Sequence, residues 1–262
     1  MQITHRLIIS ALVSGLLSAS ASAGVTIEGT RVVVDGSQKR DTSVRVRNEG
    51  SSPAMIQAWI DAGDSAVASE ADAIPFRITP AGTPVLKPGA GQAFRITYAP
   101  RPSEALPLHR ESVLYFNLLD VPPMPDETKQ NMLQFAVRSR IKLFYRPPGL
   151  VGSASEAAAA LEWSVHQDVG RRWLQVVNPS AYHVTLASVL APGETDLPKN
   201  MIEPRETMQI PINSGAPLPE RVTFNWIDDY GAAREHHAQI TRAQPRTEKL
   251  TFIAGNCCWK LP

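Results

Sequence analysis

The chain has 262 residues, 43% hydrophobic and 19% charged, a globular balance that excludes an acidic disordered chain. Lys and Arg number 26 against 25 Asp and Glu, a formal net charge of +1, and such a balance excludes a nucleic-acid-binding polycation. Its 22 prolines, about 8% against an average of roughly 5%, disfavour a helical bundle and favour short strands joined by turns.

The first elements in chain order form a sorting label. Arg6 supplies a positive start, Leu7 to Leu17 is an apolar run, and Ala21-Ser22-Ala23 has the small-x-small cleavage pattern. The run is shorter than the roughly 20 apolar residues a membrane-spanning helix needs. A cleavable signal peptide over residues 1–23 is therefore expected, with export of a chain starting at Gly24. No later stretch has the length and apolarity to span a membrane. Cys257 and Cys258 are adjacent, so they can close only a strained ring and cannot staple distant segments. The protein must be held together by its core.

From Gly24 to Tyr145 the pattern is short strands. Val25 and Ile27 alternate with polar neighbours, and Arg31 precedes a run of three valines. Ser43 to Asn48 alternates with period two, Met55 to Ile60 follows a turn cluster, and Phe76 to Ile78 runs into Pro80. After the turn Lys87 to Gly91 comes Phe94 to Tyr98, then Ser112 to Leu118 and Met132 to Tyr145. Strands at this spacing predict an antiparallel sandwich. Pro147-Pro148-Gly149 marks a boundary. Beyond it Ser155 to Leu161 predicts a single helical turn. A second strand series covers Leu174 to Val177, Tyr182 to Leu190, Thr207 to Ile212, Val222 to Ile227 and His237 to Arg242. The expected architecture is all-β, with one sandwich over residues 24–146 and a second over 147–262.

Signals for catalysis are weak. Gly89-Ala90-Gly91 begins a glycine-rich motif, but position 94 is Phe and a strand follows where a helix is needed. Gly152-Ser153 has no G-x-S-x-G around it. Adjacent His236 and His237 in a strand point to opposite faces, and no third metal ligand is visible. No catalytic residue, metal site or cofactor is expected. The residues alone give an exported β-sandwich protein, and a secreted structural or adhesive role stays open.

Several stretches carry a resemblance, in order along the chain. They are Thr30 to Gly36, Gln57 to Asp61, Arg110 to Leu118 with Val121-Pro122-Pro123, Met132 to Pro147, and Ile227 to Gly231. Together they resemble the periplasmic pilus (fimbrial) chaperones of the PapD-like family, over nearly all of the chain after residue 23. The resemblance implies two immunoglobulin-like domains in a bent, boomerang-like arrangement with a cleft between them. It implies a periplasmic chaperone, not an enzyme, that stabilises pilin subunits by donor-strand complementation and delivers them to an outer-membrane usher for pilus assembly.

The same resemblance assigns residues. Leu133, Phe135 and Val137 would be donated to the subunit; periodicity alone favours reading them as filling this domain's own core. Arg31 and Lys142 would hold the subunit's C-terminal carboxylate, although without the family they read as solvated surface cations. Glu111, Arg146 and Asp229 would form an inter-domain charge network. An exposed donor strand also invites a self-capping dimer in the free chaperone. One difficulty stands: Lys142 has even parity and Leu133, Phe135 and Val137 odd, so an ideal strand points them to opposite faces. A bulge, a strong twist or a cleft that wraps the strand is needed.

Overall fold

The computed structural model describes residues 24–38, 41–63, 74–123, 134–192, 197, 200–213, 215 and 218–242. Leu133, Cys257 and Cys258 lie outside the described residues.

The first sandwich is built from β1 (Val25–Ile27), β2 (Arg31–Asp35), β3 (Thr42–Asn48), β4 (Ala54–Asp61), β5 (Phe76–Thr79), β6 (Val85–Leu86), β7 (Gly91–Tyr98), β8 (Ser112–Val121) and β9 (Val137–Arg146). One sheet runs β1-β3-β7-β5 and the other β2-β9-β8-β4-β6. Period-two alternation makes the layers: Val44 and Val46 are buried while Arg45 and Arg47 are exposed, and Phe94 and Ile96 flank exposed Arg95. The other sheet contributes Ile56, Phe116, Leu118, Leu143 and Tyr145 to the same core. Each such fully buried side chain contributes roughly 1.5–3 kcal/mol. The opening segment serves both layers. β1 pairs with β3, the chain turns at Gly29 with φ 99°, and β2 joins the opposite sheet in parallel with β9.

The second unit follows a short helix, α1 (Ala154–Ala159), in the region expected for one turn. The Ser153 hydroxyl accepts from the Glu156 N–H at 3.2 Å, and Ala157 and Ala158 are buried. The strands are β10 (Glu162–Asp168), β11 (Arg171–Val177), β12 (Val184–Leu190), β13 (Met201–Ile202), β14 (Thr207–Ile212), β15 (Arg221–Ile227) and β16 (Ala233–Arg242). β16 changes layers. Ala233 to Gln239 pair antiparallel with β15, whereas Ile240 to Arg242 pair parallel with β10. The core between the layers contains Trp163, Leu174, Ile210, Val222 and Phe224. The all-β, two-sandwich architecture expected from the strand spacing is what the chain adopts.

Two differences matter. β10 was not anticipated; only Trp163 and Val165 point inward, too few apolar residues to stand out beside the alanines of α1. The expected strand from Met132 starts instead at Val137, and Phe135 is not part of it. The partner strand explains this. β8 pairs Asp120 with Val137, and the chain then enters Pro122-Pro123, which cannot donate to a ladder.

Candidate functional site

β9 is covered unequally on its two sides. β8 pairs with it from Val137 to Tyr145. β2 pairs with it only from Lys142 to Arg146. Among the described residues, the other edge of Val137 to Ile141 has no strand partner. The odd positions Ile141, Leu143 and Tyr145 belong to the core or pack against it. Val137 continues that face but is 56% exposed, and Phe135 just before it is 67% exposed. An apolar stripe thus runs off the end of the sandwich beside an open backbone edge. Such an edge accepts one further extended segment.

The open lane ends at a pair of cations. Arg31 opens β2 directly opposite Lys142. The Arg31 Nη1 donates to the Ile227 carbonyl of the second domain at 2.9 Å, and its guanidinium lies 5.6 Å from the Phe144 ring centroid. Its Nε is buried with no hydrogen-bond partner. Burial lowers the Arg31 pKa, and Asp229, Asp228 and Glu111 offset part of that effect. The Lys142 amine makes no ion pair or hydrogen bond among the described residues. Burial and the neighbouring Arg31 both pull its amine below the ordinary lysine range. Two cations in adjacent register, one without a counter-charge, form a site suited to an anion.

A segment filling the lane with its end at Arg31 would run parallel to β9, in line with β2. Its terminal carboxylate would then meet both cations. The strand register is continuous from Val137 to Arg146, so the bulge offered above to reconcile the parities is absent. Lys142 and Val137 do point to opposite faces. Arg31 and Lys142 lie at the end of the uncovered stretch, and Val137 lies at its start.

Arg146 joins the domains beside this site. Its Nε donates to Glu111 Oε1 at 2.8 Å, and Nη1 and Nη2 donate to the two oxygens of Asp229 at 2.7 Å each. Burial disfavours the Arg146 charge, but Asp229 and Glu111 outweigh it and hold its pKa above the usual value. Glu111 is only 2% exposed. Its second oxygen, Oε2, accepts from the His183 N–H at 2.8 Å and contacts His183 Nδ1 at 2.9 Å. The Glu111 N–H also donates to the Ala181 carbonyl at 2.9 Å. Arg146 further lies over the Tyr182 ring, 5.2 Å from its centroid. The structure therefore brings Glu111, Arg146 and Asp229 together, and adds His183 and Tyr182.

His183 and Tyr182 were missed because their chain neighbours carry no signal of their distant partners, Glu111 and Arg146. A second cluster was also missed, on the outer face of β9. Arg138 and Arg140 bond to Asp61 and stack on Trp59 and Tyr115. Asp61 lies 77 and 79 residues away along the chain, out of reach of any local pattern. Among the described residues, no three His, Cys, Asp or Glu side chains gather as a metal site, and no helix is long and apolar enough to cross a membrane.

Comparison with known proteins gives these sites a context. Residues 24–151 match the pili and flagellar-assembly chaperone PapD N-terminal domain, and residues 156–238 match the pili assembly chaperone PapD C-terminal domain. The probable fimbrial chaperone YadV of Escherichia coli (strain K12) is 40% identical, covering 85% of this chain and 92% of its own. The chaperone protein FimB/FhaD of Bordetella pertussis is 36% identical, covering 90% and 97%. The crystal structure of the YadV chaperone aligns with a TM-score of 0.67 over 83% of this chain and 100% of that one, at 36% identity. The crystal structure of the Pseudomonas aeruginosa CupB2 chaperone aligns with a TM-score of 0.66 over 82% and 100%, at 34% identity. The chain belongs to the PapD family of pilus-assembly chaperones, a family of non-enzymatic assembly factors.

Proposed function

We propose that this chain captures pilin subunits by lending them the open side of β9, and hands them to an outer-membrane usher. The observation that carries this reading is the lane along Val137 to Ile141, uncovered on one side among the described residues and ending at Arg31 and Lys142. A subunit sandwich lacking a strand exposes backbone edges and apolar core, which invites aggregation. β9 would satisfy that edge through main-chain hydrogen bonds, while Val137, Phe135 and Leu133 enter the subunit core. The subunit's C-terminal carboxylate would dock on Arg31 and Lys142, fixing the register of the added strand.

In this reading residues 1–23 direct export to the periplasm and are removed. Residues 24–146 form the subunit-binding domain, and the chain from 147 onward forms the second wall of the cleft. Glu111, Arg146 and Asp229 fix the two walls relative to each other. The exposed stripe at Phe135 and Val137 is covered by a second copy when no subunit is present.

The test is co-expression with a pilin subunit, followed by purification from periplasmic extract. A one-to-one complex is expected. Recovery of the chain alone, with the pilin degraded or aggregated, contradicts the reading.

A further inference from the structure

The first half of β9 raises a physical problem. Among the described residues Val137 to Ile141 has a strand neighbour on one side only, and its odd-numbered side chains are exposed or half-buried. A strand held so weakly would fray, and every subunit would then have to order it at a cost in free energy. The even-numbered face supplies what the core does not. Asp61, at the end of β4, is 5% exposed and uses both carboxylate oxygens. Oδ1 accepts from Arg140 Nη2 at 2.7 Å and from the Gly63 N–H at 3.0 Å. Oδ2 accepts from Arg138 Nη2 at 3.0 Å and from Asn117 Nδ2 at 2.8 Å. Asn117 returns the contact, its Oδ1 accepting from Arg138 Nε at 3.0 Å and Nη2 at 2.8 Å.

The two guanidiniums are also stacked. Arg138 lies 5.0 Å from the Trp59 ring centroid and Arg140 lies 3.7 Å from that of Tyr115. The turn beyond β4 closes the cluster, because the Gly63 carbonyl accepts from Arg140 Nη2 at 3.0 Å. A side chain at Gly63 would sit at φ 121° and press on Tyr115. The cluster spans β4, β8 and β9, and it lies on the face opposite Val137.

We propose that Asp61 is a positioning residue for the donor edge. By gripping Arg138 and Arg140 together it keeps Val137 to Ile141 extended and leaves both the apolar face and the open edge free. This inference rests on the reading of β9 as the strand lent to a subunit. Pre-organising the strand removes an ordering cost from each binding event, so the gain is in affinity and rate of capture. A stacked, forked guanidinium suits this role, and Lys would fill it less well.

The test is amide hydrogen exchange on the full chain as wild type and as Asp61→Asn, with capture of the same pilin subunit measured in parallel. The substitution keeps the side chain's size and removes its charge. Exchange at the β8-bonded amides between 137 and 141 should speed up at least tenfold. Amides at 143–145, covered on both sides, should change less than twofold, and pilin capture should slow by about tenfold. Arg140→Lys should fall between wild type and Asp61→Asn. It also serves as the test variant if Asp61→Asn does not fold. Unchanged protection at 137–141, uniform acceleration through β3 and β7, or undiminished capture would overturn the proposal. If wild type itself captures no pilin, the functional reading fails, while the exchange data still decide whether Asp61 holds the strand.

Discussion

Arg31 and Lys142 face each other across the first rung of the parallel β2–β9 pair. The rung is where coverage of β9 changes: among the described residues, one side of the strand is paired beyond it and unpaired before it. Arg31 is tied to the second domain through the Ile227 carbonyl, whereas the Lys142 amine has no bonded partner among the described residues. The cation pair therefore belongs at once to the end of a strand lane and to the junction between domains.

Replacing Lys142 by Ala should leave a folded protein that no longer holds subunits. Truncating one partner of a buried, hydrogen-bonded charge pair typically costs roughly 2–5 kcal/mol, mostly through faster dissociation. Stability should not fall, because burial next to Arg31 already disfavours the Lys142 charge. Thermal unfolding and subunit dissociation rates measured on the same variant check both halves. Normal dissociation would count against the carboxylate assignment.

Lys142 also makes a pH prediction. Its folded pKa lies below the ordinary 10.5, so the unfolded chain holds this proton more tightly. The penalty is complete below the folded value and disappears as pH rises toward 10.5, so this group's contribution to stability improves through that window. A bound carboxylate favours the charged form and raises the pKa again. Competitive amine labelling across pH should give Lys142 a midpoint below 10.5 in the free chain and a higher one in the complex. A lower midpoint in the complex would mean no anion binds there.

Phe135→Asp should abolish capture and leave the melting temperature of the chain within a few degrees. The side chain is 67% exposed and outside any strand, so its replacement removes no core contact. In a subunit groove the new carboxylate would be desolvated without a partner. A large loss of stability would place Phe135 in this domain's own core.

Arg146→Ala should be costly in itself. It leaves Glu111, whose side chain is 1% exposed, without its guanidinium. Breaking a buried pair in this way costs about 3–5 kcal/mol. Calorimetry should show the loss, and solution scattering should show a wider spread of inter-domain angles. Unchanged curves in both would reduce the network to surface charges.

The sandwiches were legible because strands such as β3 and β7 alternate strictly and sit between turn clusters. The start of β9 was not, because alternation from Met132 onward continues past the point where β8 runs out. Whether that stripe filled its own core depended on a tertiary fact, the end of β8 at Val121. Arg31 and Lys142 were singled out by family likeness, yet their shared rung follows from a parallel pairing that no local pattern announces. The grip of Asp61 on Arg138 and Arg140 crosses 77 and 79 residues of chain, beyond the reach of any local motif.

The most direct test compares the pilin subunit with its natural C-terminal carboxylate against the same subunit carrying a C-terminal amide. Dissociation constants are measured for wild type and for Lys142→Ala. Wild type should bind the carboxylate form at least tenfold more tightly, and Lys142→Ala should lose most of that discrimination. Equal binding of the two forms by wild type would contradict the docking of a chain terminus at Arg31 and Lys142.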